Sequence, residues 1–158
     1  VIRDIASNLT FRQALPADAE ALRRACWPDW PQHVADELLE RASARSTQGR
    51  GYAVVACEHG VVRGYGQVTI WGDSGEIADL IVDARHRGRG IGTAIIRHLT
   101  GSVRKWGLSV VEIGVAASNP RALALYQRLG FRADRTLLIS LGNGPEPVIY
   151  LRKTVDEE

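Results

Sequence analysis

The chain contains no methionine, and only two of its 158 residues are cysteine, Cys26 and Cys57. Two thiols with no pairing motif and no metal-ligand spacing argue against a disulfide scaffold and against a metal site, and they fit a cytoplasmic protein. No stretch approaches the ~20 consecutive apolar residues that cross a bilayer, and no charged-then-apolar leader opens the sequence, so neither a membrane nor a secreted protein is expected. The missing methionine sets the expectation that the numbering starts downstream of an initiator. Charge of one sign is scarce as well: 20 Lys and Arg against 18 Asp and Glu leave +2. That is too little to hold nucleic acid or a membrane surface by bulk electrostatics. Glycine (16) and proline (6) are too few for a collagen-like or low-complexity chain. What remains is an ordinary composition, 45% hydrophobic and 24% charged. The length suits one domain over residues 1–158 with its core at about 10–152.

The periodicity changes along the chain. Val1–Asn8 has no clear pattern, and Thr10–Leu15 alternates weakly. Pro16-Ala17-Asp18 is a helix-start signal, and the helix runs to about Cys26 with Ala21, Leu22 and Ala25 on one face. Trp27-Pro28-Asp29-Trp30-Pro31 breaks it. A second helix carries Val34, Leu38 and Leu39, and Ser43–Arg50 reads as a polar loop. Three strands follow: Gly51–Cys57, Val61–Trp71 across the turn Glu58-His59-Gly60, and Glu76–Val82 across Gly72-Asp73-Ser74-Gly75. Then Ile91, Ile95, Leu99 and Val103, with Trp106 beyond, mark a helix laid on a sheet and ended by Gly107. Val110–Ala116 is a strand, so strand, helix and strand form a parallel crossover. Asn119–Leu129 is a helix stopped by Gly130, and strands at about Arg132–Leu141 and Pro147–Arg152 flank Gly142-Asn143-Gly144.

The richest chemistry lies in Arg87-Gly88-Arg89-Gly90-Ile91-Gly92, between a strand and the long helix. A helix N-terminus offers unpaired N–H groups and the positive end of the dipole. Glycines let a phosphate approach the backbone, and two arginines add charge, which suits a pyrophosphate. Taken alone, the same glycines could merely permit a tight bend. Neither common nucleotide motif is completed: Gly92 is followed by Thr93 without the lysine of a Walker loop, and Ile95 stands where a dinucleotide fingerprint wants glycine.

Val82 through Gly92 resembles motif A of the GNAT N-acetyltransferases, Gln/Arg-x-x-Gly-x-Gly/Ala, with Arg87, Gly90 and Gly92 at its fixed positions. Asn119-Pro-Arg-Ala-Leu-Ala-Leu-Tyr126-Gln-Arg-Leu-Gly130-Phe131 resembles that family's motif B at every fixed position. Ala84 departs from the proline that many members carry after the strand. The resemblance implies an α/β GNAT fold: a mixed, mostly antiparallel sheet of about seven strands with a parallel pair at its centre, flanked by about four helices. It implies acetyl-CoA as co-substrate, no metal, and transfer of acetyl to a primary amine by direct attack in a ternary complex.

By the same resemblance, the backbone at Leu80, Ile81 and Val82 takes the pantetheine arm, and an amide near Val82 polarises the thioester carbonyl. Gly88, Arg89, Gly90, Ile91, Gly92 and Thr93 hold the pyrophosphate, with Arg87 adding a contact. Tyr126 is the candidate general acid that protonates the leaving thiolate, its alternative being a packed amphipathic tyrosine. Glu76 is the candidate base, its alternative a turn carboxylate beside Gly75, with Asp79 and Glu112 behind it. Asn119 reads both as a helix cap before Pro120 and as a cofactor contact. His59, His86 and His98 sit in no base motif. On the acceptor side stand Trp27, Asp29 and Trp30, which either pack a ligand or form a rigid corner, and the stretch Asn143–Pro147. The run from Leu22 to Asp29, with His33 beyond, faintly resembles aminoglycoside 6′-N-acetyltransferases. The expected partner is a small-molecule amine rather than a peptide, with no nucleic acid or membrane, and a homodimer is compatible with the family. A protein N-terminal or lysine acetyltransferase and a non-catalytic acyl-CoA-binding module are the alternatives.

Overall fold

The computed structural model describes residues 8–140, 142 and 144–156. Residues 1–7 of the opening segment, and Leu141 and Asn143 of the last turn, lie outside the described residues. In chain order the elements are β1 (Leu9–Gln13), α1 (Ala19–Cys26), α2 (Gln32–Thr47), β2 (Gly51–Glu58), β3 (Val61–Trp71) and β4 (Ser74–Val82). They continue with α3 (Ile91–Lys105), β5 (Val110–Ala116), α4 (Pro120–Arg128), β6 (Arg132–Ser140) and β7 (Pro145–Thr154). The strands form a seven-stranded sheet in the order β1-β2-β3-β4-β5-β7-β6. β4 and β5 pair in parallel at its centre, from Ser74↔Val110 to Ile77↔Ile113. The expected α/β architecture is therefore present, with its central parallel pair and its helix count.

Two compact units divide the chain: residues through Ile70 with Ala78–Leu99, and Trp71–Ile77 with Thr100 onward. In the first, α1 buries Ala19, Leu22 and Cys26, and α2 buries Ala35, Leu39 and Ala42. These small residues recur at helical spacing, so the buried stripe of α2 centres on Ala35, Leu39 and Ala42, with Val34 and Leu38 at its flanks. The polar run Ser43–Arg50 is not a loop: α2 continues to Thr47. Gly49 N–H then bonds Ser46 O at 3.0 Å and Arg50 N–H bonds Arg45 O at 2.8 Å, which satisfies the last carbonyls. Ser, Thr and Arg are tolerated there because that end of the helix is largely solvated.

The first turns of α3 lie against β3. An added Cβ at Gly66 would stand 2.7 Å from Ile95 Cγ2 and 3.1 Å from Leu99 Cδ1, and one at Gly64 would stand 2.9 Å from Ile95 Cδ1. The two glycines therefore form the floor on which Ile91, Ile95 and Leu99 pack, all at most 1% exposed. Trp106, read from sequence as part of that stripe, follows the last helical residue and is 40% exposed.

In the second unit, Val103, Val111, Ile113, Leu151 and Val155 are buried. β5 pairs with β7, and β7 with β6, both antiparallel. The β6–β7 register shifts between Ala133 and Arg135, so Asp134 is a bulge. α4 begins on Asn119, whose side chain accepts from Ala122 N–H at 3.2 Å, with Pro120 in the first turn. Its end is a Schellman motif: Phe131 N–H bonds Tyr126 O and Gly130 N–H bonds Gln127 O, both at 3.1 Å. Gly130 takes φ 94°, which a side chain would resist.

Replacing Gly66 with Ala is expected to destabilise the protein by about 1–3 kcal/mol through overpacking against Ile95. The control Gly101→Ala, where an added Cβ meets nothing within 4 Å, should be neutral or stabilising by up to ~1 kcal/mol. Denaturant midpoints compare the two; equal midpoints would show that α3 is not held by close contact with β3.

Candidate active site

The first unit contains the phosphate-type turn. β4 loses its regular pleat at Asp79, which takes φ 53°, two residues after the last parallel pair with β5. A non-glycine residue in the left-handed region costs roughly 1–2 kcal/mol, so a local irregularity of β4 is fixed here by its surroundings. Partial enclosure raises the Asp79 carboxyl above the usual aspartate range, with the charges of Arg45 and Arg41 opposing the shift. Beyond it, Leu80, Ile81 and Val82 are half-buried.

The chain then turns through Asp83, whose carboxylate accepts from Arg85 N–H at 3.1 Å and meets His86 Nδ1 at 3.2 Å and Arg63 Nη1 at 3.8 Å. Arg87 Nε donates to Val82 O at 3.3 Å, which closes the turn on itself. Gly88 and Gly90 follow at φ 75° and 86°, and a Cβ on either would meet nothing within 4 Å. Their glycines are thus demanded by the backbone path, and the space beside them is open. Gly90 O accepts the first bond of α3, from Ala94 N–H at 3.0 Å. The N–H groups of Ile91, Gly92 and Thr93 therefore precede the intrahelical ladder and have no acceptor within the helix. Arg87 and Arg89 are exposed beside this turn. Left-handed glycines, amides without intrahelical acceptors, a fifteen-residue helix and two exposed guanidinium groups form a donor set that fits a diphosphate.

The same unit holds the tryptophan corner. Trp27 is 7% exposed and belongs to the apolar core. Its ring stacks on Trp30 with centroids 4.6 Å apart and meets Tyr65 edge-on at 5.5 Å. Trp30 is half-buried, while Asp29 and His33 are exposed. Burial pushes the thiol of neighbouring Cys26 up to about 12, so it stays protonated and inert. A separate open pocket of about 650 Å³ lies between α1, the β2–β3 turn and Asp83–Arg85, and contains none of the sequence-predicted site residues.

The second unit contains Tyr126, Asn119, Glu76 and Glu112. Tyr126 is 9% exposed and its ring lies 6.3 Å from that of Phe131. Burial raises its hydroxyl above the usual phenol range, so the group stays protonated at neutral pH. Asn119 acts as the cap of α4, one of its two sequence readings. Glu76 is half-buried and lies opposite Glu112 in the parallel register. Glu112, 9% exposed, is bonded by Arg135 Nη1 and Nη2 at 3.3 and 3.4 Å, and Arg152 Nε lies 3.3 Å away. Tyr150 carries no signal in the sequence. Its hydroxyl is raised first by burial and then by the charges of Glu76 and, after the opposing effect of Arg135, Glu112. Within the stretch 143–147, Asn143 lies outside the described residues, and Glu146 accepts a hydrogen bond from Ser118. Among the described residues no group of three His, Cys, Asp or Glu side chains is placed to hold a metal, and no helix is long and apolar enough to cross a membrane.

Comparison with known proteins follows the same lines. The L-methionine sulfoximine/L-methionine sulfone acetyltransferase of Pseudomonas paraeruginosa is 28% identical over 123 residues, covering 75% of this chain and 71% of that protein. The ribosomal protein bS18-alanine N-acetyltransferase of Escherichia coli is 36% identical over 59 residues, 37% of this chain and 40% of that protein. The chain thus spans less than half the length of the first curated relatives it matches. In structure it resembles yncA of Salmonella typhimurium, solved with its cofactor acetyl-CoA, with a TM-score of 0.74 at 24% identity over 96% of each chain. Residues 17–131 match the Acetyltransferase (GNAT) family, and the chain belongs to that family of acetyltransferases.

Proposed function

We propose that this protein transfers acetyl from acetyl-CoA to the primary amine of a small molecule, by direct attack while both substrates are bound. The observation that carries the reading is the turn into α3, where left-handed Gly88 and Gly90 are exposed beside Arg87 and Arg89 and the amides of Ile91, Gly92 and Thr93 have no acceptor within the helix. Acetyl-CoA supplies the acetyl group as a thioester, which an amine can attack without a covalent enzyme intermediate. The amides at the start of α3 hold its diphosphate. The backbone of Leu80, Ile81 and Val82, past the irregularity at Asp79, binds the pantetheine arm as an added strand, and an amide near Val82 donates to the carbonyl oxygen.

Two proton movements complete the chemistry. An amine is mostly protonated at neutral pH, and Glu76 accepts the proton it must lose. Tyr126, protonated at neutral pH, donates from its hydroxyl to the departing sulfur. Glu112 is the less favoured base, since its carboxylate is already engaged by Arg135 and Arg152. Trp30 and Asp29 form the accessible part of an acceptor wall, with Trp27 fixing Trp30 from behind. A small-molecule acceptor is preferred because the methionine sulfoximine acetyltransferase matches 75% of the chain and the ribosomal-protein enzyme 37%.

Tyr126→Phe is expected to lower kcat by about 100-fold while leaving acetyl-CoA affinity within a factor of ~2, because only the proton donor is removed. Thiol release and calorimetric titration read the two quantities; unchanged kcat would remove Tyr126 from the chemistry. Glu76→Gln should lower kcat/KM for the amine by about 100-fold and flatten the acidic limb of its pH profile, since a base must be unprotonated to act. A profile of unchanged shape in that variant would reassign the base.

A further inference from the structure

The face of the second unit's sheet that carries Glu112 shows a sorted charge pattern that acetyl transfer by itself does not require. Residues at paired positions of neighbouring strands stand side by side on one face. Across β4, β5, β7 and β6 the pairs run Glu76↔Glu112, Glu112↔Arg152 and Arg152↔Arg132. The row therefore reads acid, acid, base, base. A fifth charged residue joins it through the bulge at Asp134. Without that extra residue Asp134 would lie opposite Tyr150; with it, Arg135 takes that position. The Arg135 guanidinium sits 4.6 Å over the Tyr150 ring and reaches Glu112. Gly114, opposite Tyr150 on β5, leaves the ring its place: a Cβ there would be 3.1 Å from Tyr150 Cε1.

Burial differs between the partners. The Glu112 side chain is 12% exposed, whereas those of Arg135 and Arg152 are 42% and 43% exposed. Glu112 thus anchors the two guanidinium groups from below while both remain open to solvent. A guanidinium has five N–H donors in a planar fork. Glu112 and Asp134 engage Nη1 and Nη2 of Arg135, and Glu112 lies against Nε of Arg152. On β5, β7 and β6, Arg135 and Arg152 meet Glu112, Arg135 also meets Asp134, and Arg132 stands beside Arg152 in the register, so three guanidinium groups stand with two carboxylates. Glu76 adds a negative charge on the β4 side. The surface is thus bipolar, positive at the β6 side and negative at the β4 side. A polycation would meet guanidinium groups at one end, whereas a zwitterion would match both.

We infer that Arg135 and Arg152 form a carboxylate subsite that selects amino acids, rather than polyamines or simple amines, as acceptors. The inference rests on the acetyltransferase reading, in which the amine lies toward Glu76. It adds the specificity: the acceptor's carboxylate binds the exposed guanidinium donors a few bonds from its amine, and Tyr150 and Glu112 hold those donors in place.

The test uses the full chain with coenzyme A present. The standard L-amino acids, the amines obtained from them by decarboxylation, and spermidine are titrated calorimetrically and assayed for thiol release from acetyl-CoA. At least one amino acid should exceed its decarboxylated counterpart and spermidine by about tenfold or more in both affinity and kcat/KM. Arg152→Gln and, separately, Arg135→Gln should reduce that preference to about threefold or less by weakening the amino acid alone, and Arg152→Lys should restore part of it. Each single variant leaves Glu112 one guanidinium partner, and a matching thermal midpoint checks that the fold is kept. Amines without a carboxylate that bind and react as well as amino acids, no binding by any amino acid, or a variant that weakens all ligands equally would each overturn the subsite. Absence of thiol release with every acceptor would refute acetyl transfer instead, and the calorimetric preference would still decide whether the carboxylate site exists.

Discussion

Everything proposed for the cofactor depends on where the first turn of α3 is held, and that is set by close contact with β3. Gly64 and Gly66 present bare backbone to Ile91, Ile95 and Leu99, and no methyl group fits between them. With the helix seated this closely, the chain leaving β4 at Val82 has to turn within a few residues. It does so through Asp83's local hydrogen bonds and the two left-handed glycines. That tight turn leads into helix-terminal amides without intrahelical acceptors, and such amides at a dipole's positive end are what a phosphate group needs. Packing in the core and the anion binding proposed for this turn thus follow from one geometric constraint.

A second constraint of the same kind shapes motif B. Gly130 permits the reversal that lets Phe131 N–H bond Tyr126 O, and Phe131 folds back to pack near the Tyr126 ring. Lys153 Nζ donates to the neighbouring carbonyl of Leu129 at 2.8 Å. Asn119 and Pro120 start the helix and Gly130 and Phe131 stop it, so the motif's outer residues define a short helix with Tyr126 in its last turn. Local capping chemistry accounts for these positions before any catalytic role is assigned to them, and it leaves Tyr126 buried and neutral.

Strands β2, β3 and β5 and the helix α3 were legible because their periodicity is clean and glycines bound them. The end of α2 was not: Ser43, Ser46 and Thr47 look like a loop in isolation, and only the tertiary seat of Ala42 and the cap at Gly49 extend the helix. Trp106 looked apolar and therefore buried, although the helix stops one residue before it. The glycine turn drew attention by its residues, and Tyr126 could be singled out only through the resemblance of its segment to motif B. Gly64 and Gly66 carried no such signal, since a strand glycine is usually read as a weak point rather than a helix seat. The Glu112–Arg135–Arg152 group was invisible in the sequence for a different reason. Its members come from three strands, and a one-residue bulge decides which side chain of β6 joins them. No periodicity encodes that shift.

The central claim is that the backbone at the start of α3 binds the diphosphate of acetyl-CoA, and backbone amide resonances report on it directly. In a titration of isotope-labelled protein with acetyl-CoA, the amides of Gly88, Gly90, Ile91, Gly92 and Thr93 should show the largest shifts. Adenosine 3′,5′-bisphosphate, which lacks the diphosphate bridge, should move them far less. Binding of acetyl-CoA with these amides unmoved, or no binding at all, would contradict the account.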